Sequence, residues 1–155
     1  MPVITLEKLE VFSSEVQDLF ALSNAYMAAR YPAESNHMDN GAVLAEAGAL
    51  ALGVRVDGTL AGCGAVRLKR DGEGRYGEIK RVFVAEGYRG LGLAHRVMDG
   101  LEAYLREQAI ALARLETGVR QPEALGLYGK RGYRMRGAFG GYAIDPLSVF
   151  MEKTL

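Results

Sequence analysis

Apolar positions along the chain change their period several times, and each change marks an element. Residues 3–9 alternate as a short strand, after which Ser14-x-x-Gln17 forms a capping box at the head of an amphipathic helix. Val16, Leu19, Phe20, Ser23, Tyr26 and Met27 share one face of that helix, and Pro32 ends it near Arg30 and Tyr31 by disfavouring helical geometry at the preceding residue. Segment 32–41 is polar and aperiodic and reads as a loop, followed by a short helix around 42–47. Strands 49–56 and 59–70 flank Asp57-Gly58, a strong two-residue hairpin turn. Within the second of them Gly62 and Gly64 predict a bulge or a close approach by another backbone. Residues 71–74 then turn the chain into a third strand, 75–84.

From about 91 to 108 the spacing becomes helical, with Ala94, Val97, Met98, Leu101, Tyr104 and Leu105 on one face. Gly100 costs this helix about 1 kcal/mol relative to alanine, which predicts close packing against the sheet. Strand 112–116 follows, and strand, loop, helix, strand is a crossover unit, so 112–116 runs parallel to 75–84. A short helix within 121–133 has Pro122 in its first turn and Gly132 at a left-handed cap. Segments 133–139 and 148–152 are the closing strands, and the glycine-rich loop 140–146 between them is placed to flank a pocket.

The join between strand 75–84 and the long helix carries the candidate chemistry. It reads Gly87-x-x-Gly90-x-Gly92, with Arg89 inside it. The first N–H groups of a helix lack internal partners, the helix dipole favours negative charge there, and Arg89 adds a cation, so a pyrophosphate suits the loop; a plain tight connection is the bland alternative. The spacing is not G-x-G-x-x-G and no Gly-Lys-Ser/Thr follows, so neither the dinucleotide fingerprint nor a P-loop is matched. Instead Arg89-x-x-Gly92-x-Ala94 resembles the acetyl-coenzyme A signature of the GNAT superfamily of N-acetyltransferases. Ala124-x-x-x-Tyr128-x-x-x-Gly132-Tyr133 is similar to a second motif of that family, in the same order along the chain.

Composition narrows the partners. The 155 residues are 49% hydrophobic, ample for one core, and nineteen basic residues balance nineteen acidic ones. With no basic excess the chain lacks the electrostatic footprint of a nucleic-acid binder. Cys63, the lone cysteine, allows no internal disulfide or cysteine-rich metal site, and it reads as a small core residue. The N-terminus lacks the pattern of a signal peptide and no run approaches the roughly eighteen apolar residues of a membrane span, so the expected home is the cytoplasm.

The resemblance implies an α/β (α+β) fold: a single GNAT N-acetyltransferase domain over 1–155, with a mixed, mostly antiparallel central sheet of six or seven strands flanked by about four helices. It implies acetyl-CoA as co-substrate, no metal, and transfer to a primary amine of a small or amino-acid-like acceptor by direct attack in a ternary complex. Backbone groups of Val82, Phe83 and Val84 would meet the pantetheine arm, and Arg89, Gly90, Leu91, Gly92, Leu93 and Ala94 the pyrophosphate. Gln121 stands where many relatives have an asparagine that touches the arm. Tyr128 matches the general-acid position, where a phenol donates its proton to the departing thiolate. Glu78 matches a general-base position, with a surface carboxylate paired to Lys80 or Arg81 as the alternative. Glu34 and His37 in the polar loop are further acceptor-site candidates, with a solvated turn as their alternative. A homodimer and a coenzyme A-binding sensor without transfer activity both stay open.

Overall fold

Alternation along the strands decides where the helices sit. The computed structural model describes residues 1–35 and 41–155. Seven strands, β1 (Ile4–Lys8), β2 (Leu50–Val56), β3 (Thr59–Asp71), β4 (Gly74–Val84), β5 (Leu112–Gly118), β6 (Arg134–Arg136) and β7 (Ser148–Thr154), form one sheet in the order β1-β2-β3-β4-β5-β7-β6. Every neighbouring pair is antiparallel except β4 and β5, which are parallel as the crossover required. This is the mixed sheet that the resemblance implies. Three α-helices, α1 (Ser14–Ala28), α2 (Leu93–Glu107) and α3 (Pro122–Lys130), with three short 3-10 turns among the described residues, stand where about four helices were expected.

On β2, Leu50, Leu52, Val54 and Val56 face one side of the sheet and Ala51 the other. Against the first side α2 buries Val97, Met98, Leu101 and Leu105, each worth roughly 1.5–3 kcal/mol by area. A Cβ at Gly100 would lie 2.7 Å from Leu52 Cδ1 and 2.8 Å from Leu6 Cδ2, so the helix rests on the sheet at a separation only glycine permits. On the other side α1 sets Val16, Leu19 and Phe20 against Ala51, Leu60, Cys63 and Ala65. The Asp57-Gly58 hairpin is a primed turn with positive φ at both residues.

Three local expectations are corrected. Ser13, not Ser14, caps α1: its hydroxyl accepts the Val16 N–H at 3.4 Å, while the Gln17 amide turns away to donate to the Val11 carbonyl at 2.7 Å. The helix expected at 42–47 is a 3-10 turn, Gly41–Ala45. Strand 133–139 shrinks to Arg134–Arg136, because Phe139 turns inward to meet Tyr76 and Phe150 edge-on, each at 5.7 Å, and pulls the chain off the sheet edge.

Candidate active site

The parallel strands stay together for only three residue pairs, Gly77↔Ala113, Glu78↔Arg114 and Ile79↔Leu115. Past Ile79, β4 keeps its pairing with β3 but parts from β5. A bulge in β4 puts Arg81 in the left-handed region at φ 59, and on the β3 side it is matched by Gly64, where a Cβ would meet Val97 Cγ1 at 2.5 Å. The Ala85 N–H donates to the Ala61 carbonyl at 2.8 Å, so Phe83 and Ala85 direct their backbone groups toward β3 and those of Val82 and Val84 face the gap. Their side chains join the core under α2.

The gap opens toward the start of α2. Gly90 and Gly92 hold φ 87 and 72, which a side chain would strain, and Gly92 caps α2 with no side-chain hydrogen bond to its first N–H groups. Leu93, buried at 2% exposure, pins that first turn to the core. Nearby, the Arg89 guanidinium lies 5.3 Å from the centre of the Tyr26 ring, and Arg30 lies 3.5 Å from the same ring. Parted strand and uncapped helix line one cavity of about 320 Å³.

A smaller cavity of about 110 Å³ adjoins it, and the two share Ser23, Met27, Val82, Gln121, Ala124 and Tyr128. Tyr128 comes from α3, which Gly132 closes at φ 91 while the Tyr133 N–H donates to the Tyr128 carbonyl at 3.0 Å. Its hydroxyl has no hydrogen-bond partner among the described residues, and burial pushes the phenol well above its ordinary value. At the floor of the smaller cavity Glu78, 1% exposed, accepts Tyr142 Oη–H at 2.5 Å, Lys69 Nζ at 3.2 Å and Lys80 Nζ at 3.4 Å. Lys80 also donates to Tyr142 Oη at 3.1 Å. Burial holds the Lys80 ammonium down to about 8 against the raising pull of Glu116, whereas burial and the Glu78 charge both push Tyr142 up. On the facing strand Glu116 accepts the Ser148 hydroxyl at 2.7 Å.

Two cavities thus meet at a tyrosine, one of them beside an uncapped helix start and parted strands. The Acetyltransferase (GNAT) family profile matches residues 16–133. The chain belongs to this family. It is 40% identical over 155 residues, the whole of both chains, to the IAA acetyltransferase of Azospirillum brasilense. A candidate acyl-CoA N-acyltransferase of Klebsiella pneumoniae superposes with a TM-score of 0.80 at 34% identity, covering 99% of this chain and 98% of the other. The PaiA N-acetyltransferase of Thermoplasma acidophilum in complex with coenzyme A shares the fold at 18% identity and a TM-score of 0.71, each chain covered to 99%. This GNAT protein is therefore an acetyltransferase that uses acetyl-CoA. The larger cavity fits that donor: helix N–H groups without a side-chain cap suit its pyrophosphate, and the strand edge beyond Ile79 suits its amide-bearing arm.

The cofactor positions expected from the sequence all line the larger cavity except Leu91, whose side chain is 43% exposed to solvent. Gln121 reaches both cavities from the cap position of α3, with its Oε1 accepting the Tyr31 hydroxyl at 3.2 Å. That hydroxyl also accepts the Arg120 N–H at 3.0 Å, and it fits only because residue 118 is glycine, whose added Cβ would lie 2.0 Å from it. Tyr128 and Glu78 both line the smaller cavity. Glu78 is not the surface carboxylate of the alternative reading, although Lys80 is indeed its partner. Glu34 is exposed in a 3-10 turn and lines neither cavity, and His37 lies outside the described residues. Cys63 is a core thiol that donates to the Arg81 carbonyl at 3.3 Å, pushed up to about 12 by burial. Sequence reading missed Tyr142 and Glu116, and it gave Lys80 only as a surface partner of Glu78. The glycine-rich loop around Tyr142 gave a hint, and Lys80, two residues from Glu78 on one strand, shares its face.

Proposed function

We propose that the protein is an N-acetyltransferase that moves the acetyl group of acetyl-CoA to the primary amine of a small, amino-acid-like acceptor seated in the smaller cavity, by direct attack. The observation that carries this reading is Tyr128, a buried phenol whose hydroxyl is uncommitted where the two cavities meet. Bound in the larger cavity, acetyl-CoA supplies an activated acetyl group. Glu78 and Glu116 supply negative charge that draws an ammonium into the smaller one. The amine must lose a proton before it attacks, and the hydrogen-bonded cluster of Glu78, Tyr142 and Lys80 receives it, with Glu78 as the negative end. Tyr128 keeps its proton at neutral pH and donates it to the departing sulfur.

The test is release of free thiol from acetyl-CoA against a panel of amines and amino acids, extended to the IAA of the Azospirillum relative's name. Turnover with a subset of small primary amines is expected. With such an acceptor in hand, Glu78→Gln is expected to remove the acidic limb of the rate profile and leave donor affinity nearly unchanged. Tight acetyl-CoA binding with no thiol release for any amine would replace the enzyme reading by a coenzyme A-binding sensor.

A further inference from the structure

Lysine side chains usually carry their charge out to water along an apolar stem. Lys80 does not. It is the first β4 residue past the last pair with β5, its side chain is 9% exposed, and its amine ends inside the smaller cavity, 3.1 Å from Tyr142 Oη and 3.4 Å from Glu78 Oε2. The charges of Glu116 and Arg81 also act on it there. The cavity that holds this amine is the one that Tyr128 closes at its junction with the donor cavity. A primary amine of the protein therefore sits in the compartment assigned above to the acceptor amine.

We propose that Lys80 is itself an acetyl acceptor, and that when no small amine occupies the smaller cavity the enzyme acetylates this side chain and switches itself off. The inference rests on the acceptor site proposed above. In the step, the Lys80 ammonium first gives one proton to the Glu78 cluster. Nζ then forms a bond to the acetyl carbonyl carbon as the carbon–sulfur bond breaks, and the sulfur takes its proton from Tyr128. Nζ sheds its second proton, which restores the phenol, and the proton held by Glu78 passes to water. The products are an amide at Lys80, coenzyme A as the free thiol and one proton, with no other reactant. Chemistry and geometry agree on the nucleophile: with burial holding the ammonium down to about 8, roughly a tenth of it is free amine one unit below that value. An acetamide at this position removes a positive charge from the cluster and fills much of a cavity of about 110 Å³, which shuts out the acceptor. Glu78 retains Lys69 and Tyr142 as donors, so the fold keeps its buried carboxylate satisfied.

The experiment incubates the purified protein with acetyl-CoA alone near pH 8 and follows intact mass, peptide mapping and thiol release together. The expected result is a gain of one acetyl mass per chain, mapped to Lys80, with one equivalent of thiol and a matching loss of later turnover on an added amine. An accepted amine present from the start is expected to suppress the label, and Tyr128→Phe to slow it roughly a hundredfold. Lys80→Arg keeps the charge and is expected to abolish the label, and protection of the unaltered protein by the amine covers the case in which that variant folds poorly. Label spread over exposed lysines such as Lys8 and Lys130, at a rate indifferent to Tyr128→Phe, is background chemistry and overturns the proposal. No label in a protein that does acetylate added amines overturns it while leaving the proposed function standing, and neither label nor transfer overturns both.

Discussion

A hydroxyl that gives up no hydrogen bond when it is removed allows chemistry and packing to be separated at a single residue. Tyr128 Oη is in that position: its ring is buried and meets Tyr133 edge-on at 5.7 Å, but the oxygen has no partner among the described residues. Tyr128→Phe thus keeps the apolar body and strands no buried donor or acceptor, so thermal stability is expected to stay within about 1 kcal/mol of the parent. Turnover with acetyl-CoA is expected to fall roughly a hundredfold or more, the range for a general acid, with donor affinity little changed. Steady-state kinetics beside calorimetric binding separates the two effects, and a variant within about twofold of the parent rate would remove the acid role. A donor with a better leaving thiolate should shrink the deficit, because it needs less help in departing.

At the scale of elements, the strand, loop and helix that build the larger cavity were legible because their signals are local. Gly90 and Gly92 occupy left-handed backbone, Ala94 and Val97 begin the helical period, and the crossover order forces β5 parallel to β4. Where those strands part was not legible, since the end of a ladder is a property of two segments and the bulge at Arg81 belongs to the pairing with β3. Tyr142 was hidden for a similar reason: it reaches Glu78 across 64 residues of chain, carried by a loop that folds under Phe139 and Phe150. Even the start of α1 slipped by one residue, because Ser13 and Ser14 are equivalent until Gln17 chooses the Val11 carbonyl. The uncapped start of α2 supports a sharper prediction. A Cβ at Gly92 meets nothing within 4 Å, and aspartate tolerates left-handed backbone better than most residues and caps helices well. Gly92→Asp is therefore expected to fold, yet its carboxylate competes for the same N–H groups and repels phosphate, so acetyl-CoA binding should weaken at least about a hundredfold. Unchanged affinity by calorimetry, with native circular dichroism, would show that the pyrophosphate binds elsewhere.

For the molecule as a whole, formal neutrality conceals carboxylates that the fold itself holds charged. Glu102, on the core side of α2 and only 3% exposed, is disfavoured as an anion by burial, but hydrogen bonds from Lys153, Arg131 and Tyr133 outweigh that and lower its pKa. On β5 Arg114, fully buried against Tyr76, binds Asp71 at 2.6 Å and Glu152 at 3.2 Å. Asp71 is lowered chiefly by the Glu73 N–H, with Arg114 adding to it, and Glu152 by Arg136 and Arg114 against the cost of burial. These clusters tie α2 and α3 to β7, and β3 to β5 and β7, so they join parts of the sheet far apart in sequence. The sign of their linkage follows from the direction of the shifts. A carboxylate whose folded pKa is depressed contributes stability that is fully present above its unfolded value, about 4, and is lost as pH falls through the lowered folded value. Melting temperature is accordingly expected to be nearly level from neutral pH down to about 5 and to drop steeply below about 4. Glu102→Gln tests the origin of that drop: it removes a charge that three donors serve, so about 2–4 kcal/mol is expected to be lost at pH 7, or several degrees of melting temperature for a chain of this size. Because the variant has already lost the titrating group, its acid limb should be shallower than the parent's, and the two curves should converge as the pH falls. Parallel curves, offset equally at pH 7 and pH 3, would mean that Glu102 contributes only packing and that the acid sensitivity lies with the Arg114 cluster.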